Sequence, residues 1–346
     1  MKEAMFHEKI KNKILRCKLC SRKCVIPIDK TGFCKVRKNI KGNLYSLVYG
    51  KLVSVAIDPI EKKPFYMFAP GSHTLSISTV GCNFKCKFCC NYSLSQEWNH
   101  IVGEYYTPQE IVELAIKHKC QGISYTYTEP TVQFEFAYDS SKIAKQNSLF
   151  TNWVTNGYTS PEAIKEISKY LDGAVVDFKG SANPKFYNEF SSVPKVEPIF
   201  DALLAYKRNK VYIEITNLIV PKVGDNLEDV KKLCKWIIEN LGDETPFHLI
   251  QFFPTYKLTD LPRTPIKTME RAYETAKKEG LKYVYLGNVH NHKLENTYCH
   301  NCGNLVIERT ILGVKKFSLK KDLKCPKCEE KITIFGEKWV PEHLWK

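Results

Sequence analysis

Between residues 74 and 286 the chain alternates short apolar runs with longer amphipathic ones, and this alternation restricts the fold more than any other feature. Seven runs read as strands, over 74–80, 122–127, 149–154, 173–178, 210–219, 247–252 and 282–286. Helical periodicity fills the intervals, over 131–146, 199–207, 227–240 and 266–279. Thr107-Pro108-Gln109-Glu110 is a helix start, with a hydroxyl cap, Pro at the first position and Glu three residues after the cap. Ser160-Pro161-Glu162 starts another. Strands alternating with helices predict an α/β fold with a parallel sheet. Six or seven such units suit a partial barrel of the TIM type, whose chemistry sits on loops after the strands.

Unusual polar residues do follow the strands. Glu129 follows the second and Thr155-Asn156-Gly157 the third. Asp177 and Lys179 end the fourth, and Thr216-Asn217 the fifth. His248 and Gln251 lie on the sixth; Asn288 and His290 follow the seventh. The loop after the first strand reads G-C-N-F-K-C-K-F-C-C, with Cys82, Cys86 and Cys89 spaced C-x₃-C-x₂-C. A four-iron cluster is normally held by four thiolates, so three leave one iron open to a small molecule. Zinc or a disulfide is the competing reading. Zinc wants a fourth ligand, and Cys90, adjacent to Cys89, is expected to be a buried thiol instead.

Cysteines also mark both flanks. Cys17, Cys20, Cys24 and Cys34 fall within eighteen residues, as C-x₂-C-x₃-C-x₉-C, and suit zinc or an iron–sulfur centre. A β-rich stretch over 42–71 follows, with a hairpin expected around Tyr49-Gly50-Lys51. After the periodic part, Cys299 and Cys302, then Cys325 and Cys328, form two CxxC knuckles 22 residues apart that read as a zinc ribbon. His300 is expected to be exposed rather than a ligand. The division expected is a Cys-rich β extension over 1–73, a barrel over 74–296 and a ribbon-like segment over 297–346.

The motifs together resemble a known family. G-C-N-F-K-C-K-F-C-C-N, T-Y-T-E-P-T, W-V-T-N-G-Y, D-F-K-G and T-N-L-I-V-P are similar to those of the radical S-adenosylmethionine (SAM) relatives of pyruvate formate-lyase activating enzyme. C-K-L-C-S-R-K-C…T-G-F-C-K-V-R, D-P-I-E-K-K-P-F-Y and Y-L-G-N-V-H-N…N-T-Y-C-H-N-C-G further resemble the radical SAM proteins of the AmmeMemoRadiSam system. The resemblance implies a partial (β/α)6 radical SAM barrel and a [4Fe–4S] cluster on Cys82, Cys86 and Cys89. It implies reductive cleavage of SAM to a 5′-deoxyadenosyl radical that takes hydrogen from a substrate. Glu129 carries over as the residue reading SAM's amino group, although Tyr127-Thr128 stands where the family has Gly-Gly. Asn156, Asp177 and Lys179 are further SAM-binding candidates. The bland readings are a helix-terminal acid for Glu129, a turn residue for Asn156 and a buried ion pair for Asp177 and Lys179. An electron donor of the ferredoxin or flavodoxin type is implied, with partners from the AmmeMemoRadiSam system.

Charge bears on the substrate. The formal net charge is +15, and residues 1–81 hold 16 Lys/Arg against 5 Asp/Glu, while 82–296 balance. A protein substrate for an activating enzyme is the first reading. RNA or a small molecule is the alternative, since basic flanks attract nucleic acid. A metal-stabilised binding module without catalysis is the third. No apolar run reaches the about 18 residues of a membrane span, and the Lys-rich start lacks a signal peptide's apolar core. A cytoplasmic protein with no membrane contact is expected.

Overall fold

The computed structural model describes residues 1–289, 292–310, 313–337 and 339. His290 and the last residues of the expected ribbon segment lie outside them. The centre is an eight-stranded sheet. Its strands in chain order are β1 (Ser54–Pro59), β2 (His73–Ser78), β3 (Gly122–Tyr125), β4 (Phe150–Thr155), β5 (Gly173–Lys179), β6 (Tyr212–Ile219), β7 (Phe247–Gln251) and β8 (Val284–Gly287). They lie side by side in that same order, β2 to β8 all parallel and β1 antiparallel to β2.

Besides a single turn at Tyr92–Ser95, the helices among the described residues are α1 (Pro108–Lys117), α2 (Phe134–Gln146), α3 (Pro161–Ile167), α4 (Pro184–Ser191), α5 (Glu197–Arg208), α6 (Leu227–Asn240) and α7 (Ile266–Glu279). Parallel strands require crossovers, and right-handed crossovers that never reverse direction put their helices on one face of the sheet. Accordingly α1 packs on α2, α3 on α5 and α6 on α7. The sheet is singly wound, so every parallel strand ends at the same edge.

Local chemistry explains the helix starts. Thr107 accepts from the Glu110 amide at 3.2 Å, and Glu110 Oε2 accepts from the Thr107 amide at 2.7 Å, a complete capping box. Ser160 caps α3 through the Ala163 amide at 3.3 Å. Ile111, Val112 and Ala115 of α1, with Ala163, Ile164 and Ile167 of α3, are fully buried against the sheet. The strands are buried on both faces, which is why they read as unbroken apolar runs. Trp153 of β4 is wholly buried between these layers. Truncating such a side chain to Ala costs about 3–5 kcal/mol.

The extension departs from its expected plan. Lys51–Leu52 pairs with Glu104–Tyr105 rather than closing a hairpin on its neighbours. The next segment, β1, joins the main sheet, with Ile57 opposite Leu75. A hairpin does form later than the amino terminus and earlier than Tyr49, between Arg37–Ile40 and Asn43–Ser46. Long-range pairing overrode the local alternation, as it does wherever an edge strand is left open. Helix α4 was missed because P-K-F-Y-N-E-F-S is short and carries its apolar residues over fewer than three turns. At the other end, Thr297–Tyr298, Leu305–Thr310 and Gly313–Phe317 form an antiparallel sheet. It buries Val306, Ile307 and Phe317 with Met67, Tyr283 and Tyr285.

Candidate active site

A cavity of about 630 Å³ opens where the parallel strands end. Its volume falls within the about 300–1,000 Å³ common for small-molecule sites. Cys82, Cys86 and Cys89 line it with Glu129, Asn156, Asp177 and Lys179. Gln251 and Asn288 of the expected set line it too, while Asn217 turns aside to hold Ser181.

The cysteine loop is held by its backbone. The Lys85 and Lys87 amides donate to the Ser191 and Phe190 carbonyls at 3.1 and 2.8 Å, at the end of α4. Gln96 Nε2 donates to the Cys86 carbonyl at 2.8 Å. Ser191 Oγ lies 3.4 Å from Cys86 Sγ and Ser95 Oγ 3.3 Å from Cys89 Sγ. Hydroxyls so placed can donate to thiolates. Gly81 enters the loop at φ 101°, and a Cβ there would lie 2.7 Å from Val36 Cγ1, so the extension presses on the loop. Cys90 is exposed, not buried. Burial pushes the Cys82 thiol well up and the Cys86 thiol to about 11. Such thiols become thiolates when a metal takes the proton's place.

Glu129 is 2% exposed and engaged by four donors. Oε1 accepts from the Thr131 amide at 3.0 Å, Thr131 Oγ1 at 2.5 Å and Thr155 Oγ1 at 2.7 Å; Oε2 accepts from the Asn156 amide at 2.9 Å. Burial still raises its pKa above the ordinary value, against the downward pull of those donors. Asn156 Nδ2 donates to Asn83 Oδ1 at 2.7 Å and lies 3.8 Å from Cys82 Sγ, while Asn156 Oδ1 accepts from the Tyr158 amide at 3.0 Å. Gly157, at φ 73°, passes so close to Val176 and Ile199 that a Cβ would lie within 2.9 Å of each.

Asp177 and Lys179 form an ion pair at 2.5 Å, and Thr216 Oγ1 donates to the other Asp177 oxygen at 2.7 Å. Burial disfavours the Lys179 ammonium, but Asp177 more than offsets this and its pKa is raised. The pair is buried on the Lys179 side only, so Asp177 keeps access to the cavity.

Sequence reasoning missed the wall made by D-P-I-E-K-K-P. Asp58 Oδ2 takes the Lys63 ammonium at 2.7 Å and the Tyr127 hydroxyl at 2.5 Å, and Oδ1 takes Lys62 at 2.7 Å. Lys62, Lys63 and Tyr127 all line the cavity. In the sequence this stretch stood out only as part of the family resemblance, with no role attached to it. His248 proves to belong elsewhere. Its Nε2 lies 2.7 Å from Glu214 Oε2, both buried, with the Tyr66 and Met67 amides donating to the same carboxylate at 2.8–3.0 Å. The pair clamps the segment after β1 onto the sheet.

A model of the radical SAM superfamily matches residues 76–237, the span that carries the cysteine loop, Glu129, Asn156, Asp177 and Lys179. The chain is 30% identical over 175 residues to the putative glycyl-radical enzyme activating enzyme MJ1227 of Methanocaldococcus jannaschii, covering 48% of this chain and 70% of that protein. The chain belongs to the radical SAM superfamily. It is 47% identical over 336 residues to the uncharacterized protein MJ0808 of Methanocaldococcus jannaschii, covering 96% of this chain and 99% of that one. It is 26% identical over 189 residues to the pyruvate formate-lyase-activating enzyme of Clostridium pasteurianum, covering 53% of this chain and 76% of that enzyme. The fold is similar to that of a radical SAM methyltransferase from Sphaerobacter thermophilus, with a TM-score of 0.51 and 14% identity over 64% of this chain and 68% of that one. The radical SAM family binds a [4Fe–4S] cluster and SAM, and thiols and carboxylates whose chemistry fits such groups line the cavity.

The C-terminal cysteines form a separate group. The sulfurs of Cys299, Cys302, Cys325 and Cys328 all lie within 4.8 Å of one another, a set that can hold one metal ion. His300 is not exposed: its side chain is 11% exposed, held by Tyr283 at 3.3 Å and Glu330 at 3.4 Å. Among the described residues, no helix is long and apolar enough to cross a membrane.

Proposed function

We propose that this protein is a radical SAM enzyme of the activating type, acting on a protein substrate and belonging with the radical SAM proteins of the AmmeMemoRadiSam system. The observation that carries the reading is the convergence of Cys82, Cys86 and Cys89 with Glu129, Asn156, Asp177 and Lys179 on one cavity. In this reading the singly wound sheet is a partial radical SAM barrel, its seven parallel strands answering the seven strand runs and exceeding by one the (β/α)6 barrel that the resemblance implies. Cys82, Cys86 and Cys89 would hold three irons of the cluster and leave the fourth for SAM. The loaded cluster supplies one-electron cleavage of SAM to methionine and a 5′-deoxyadenosyl radical.

The chain's own residues do the rest. Glu129 Oε2 carries one donor against three on Oε1, so it keeps an acceptor direction for the ammonium of SAM. Asn156 fixes the cysteine loop and thereby the spacing between iron and methionine. Asp177 offers a carboxylate to ribose hydroxyls, and Lys179 a cation to the SAM carboxylate. Phe84, Phe88 and Phe252 form apolar walls that exclude water. Cys299, Cys302, Cys325 and Cys328 hold a structural zinc, and the sheet around it forms a ribbon. A ferredoxin- or flavodoxin-type protein supplies the electron.

The test is anaerobic reconstitution followed by SAM and dithionite. 5′-Deoxyadenosine should appear, and deuterium should enter it from a labelled protein partner. A fully loaded chain that makes no deoxyadenosine refutes the enzyme reading.

A further inference from the structure

We propose that Cys17, Cys20, Cys24 and Cys34 hold a second iron–sulfur cluster, placed to pass electrons to the active-site cysteine loop. The spacing alone admitted zinc equally well. The structure separates the two. The four cysteines line a largely enclosed cavity, capped by Leu19, Ile26 and Val132. A single zinc ion draws its four sulfurs tightly together, as the C-terminal cysteines stand, all within 4.8 Å. Among the described residues that set alone closes so far. Neither the N-terminal four nor Cys82, Cys86 and Cys89 close into so tight a group, and each set instead lines a void. Ligands to different irons of one cluster need a wider spacing.

The surroundings suit an anionic cluster. Arg37 lines the cavity at 2% exposure; its Nη1 pairs with the buried Glu135 carboxylate at 3.0 Å, while its buried Nε has no hydrogen-bond partner. A buried donor left unpaired costs about 1–3 kcal/mol. The sulfurs of a cluster are acceptors of the right charge. Lys85 Nζ is likewise buried without a partner, 5.5 Å from the centre of the Phe33 ring, on whose face Arg22 stacks at 3.6 Å. The Phe33 amide donates to Cys24 Sγ at 3.5 Å.

The two cysteine sites share a wall. Asn83, next to Cys82, lines the N-terminal cavity, and Arg22 Nε donates to its carbonyl. The Cys34 carbonyl lies 3.1 Å from where a Cβ on Gly81 would stand. In the electron step the N-terminal cluster is oxidised by one electron and the active-site cluster is reduced by one. No bond or proton moves, and an external low-potential one-electron donor re-reduces the first cluster.

The experiment uses the full chain with Cys82→Ala, Cys86→Ala and Cys89→Ala together, reconstituted anaerobically with iron, sulfide and zinc. The expected result is ~4 irons and ~4 sulfides per chain, with an EPR signal of a reduced four-iron cluster after dithionite. A chain that takes no iron, and takes zinc at both flanking sites, overturns the proposal. A second variant, Cys20→Ala with Cys24→Ala, guards against misfolding of the first. It should keep the active-site iron and lose about half the iron of the unmodified chain, and an unchanged iron content also overturns the site. In the unmodified chain, full reduction should give spin-coupled EPR signals, and two uncoupled signals reject the electron route. Because the first variant lacks the radical SAM cysteines, its outcome is independent of that reading. Absence of deoxyadenosine from a chain loaded at both sites strikes that reading alone.

Discussion

Asn156 Nδ2 and Asn83 Oδ1 are joined at 2.7 Å, which ties the turn after β4 to the cysteine loop after β2. Between them in sequence lie α1, β3, α2 and β4. The bond therefore reports whether the sheet holds the loop in place. Replacing Asn156 with Ala also removes the acceptor of the Tyr158 amide. The expected effect is a loss of about 1–3 kcal/mol, as for buried groups left unpaired, and faster removal of active-site iron by a chelator. A double-mutant cycle with Asn83→Ala should give a coupling of about 0.5–1.5 kcal/mol. Strictly additive effects would show that the bond does not hold the loop.

Glu129 gives a pH prediction for ligand binding. Burial raises its carboxyl above the usual 4.5, although four donors oppose the shift. A protonated Glu129 cannot pair with an ammonium. SAM affinity should thus fall as pH drops through the raised value. Glu129→Gln should bind SAM about 10- to 100-fold more weakly, the worth of one charged hydrogen bond, and should lose that pH dependence. Equilibrium binding of SAM across pH measures both.

Glu295 gives one for stability. It is 4% exposed, and burial raises its carboxyl to about 7. The folded state therefore binds a proton that the unfolded state releases near 4.5. Stability from this group is whole below about 4.5 and declines as pH rises through about 7. Glu295→Gln should leave the melting temperature at pH 5 nearly unchanged and raise it at pH 8. Calorimetry at the two pH values decides; an equal shift at both would point to packing instead.

The cysteine groups should behave separately. Cys86→Ala should abolish deoxyadenosine formation and active-site iron while zinc stays. Cys325→Ala should release the zinc and loosen the C-terminal sheet, with active-site iron kept. Metal analysis of the two purified variants tests this, and joint loss of both metals in either one would contradict it.

Much of the fold was legible because its signals are local. The Thr107 capping box and the Ser160-Pro161 start depend on residues within one turn. The helices Leu227–Asn240 and Ile266–Glu279 have the bounds their periodicity predicts. What failed was non-local. His248 was expected among the site's polar residues because it lies on the sixth strand, but Glu214 on the neighbouring strand claims it. Cys90 was expected to be buried, yet it is exposed and lines the open cavity beside Cys89.

By itself the sequence determined the alternating α/β pattern, the cysteine spacings and the polar residues at the strand ends. Each is a property of a few neighbouring residues. Only the tertiary structure decided which of these meet. It turned Asn156 toward the cysteine loop, engaged both oxygens of Glu129, and set Lys62 and Lys63 in the cavity wall. It also pressed the N-terminal cysteines against that loop. These contacts join residues from different strands, and a carboxylate's partners depend on which loops the sheet brings to one edge.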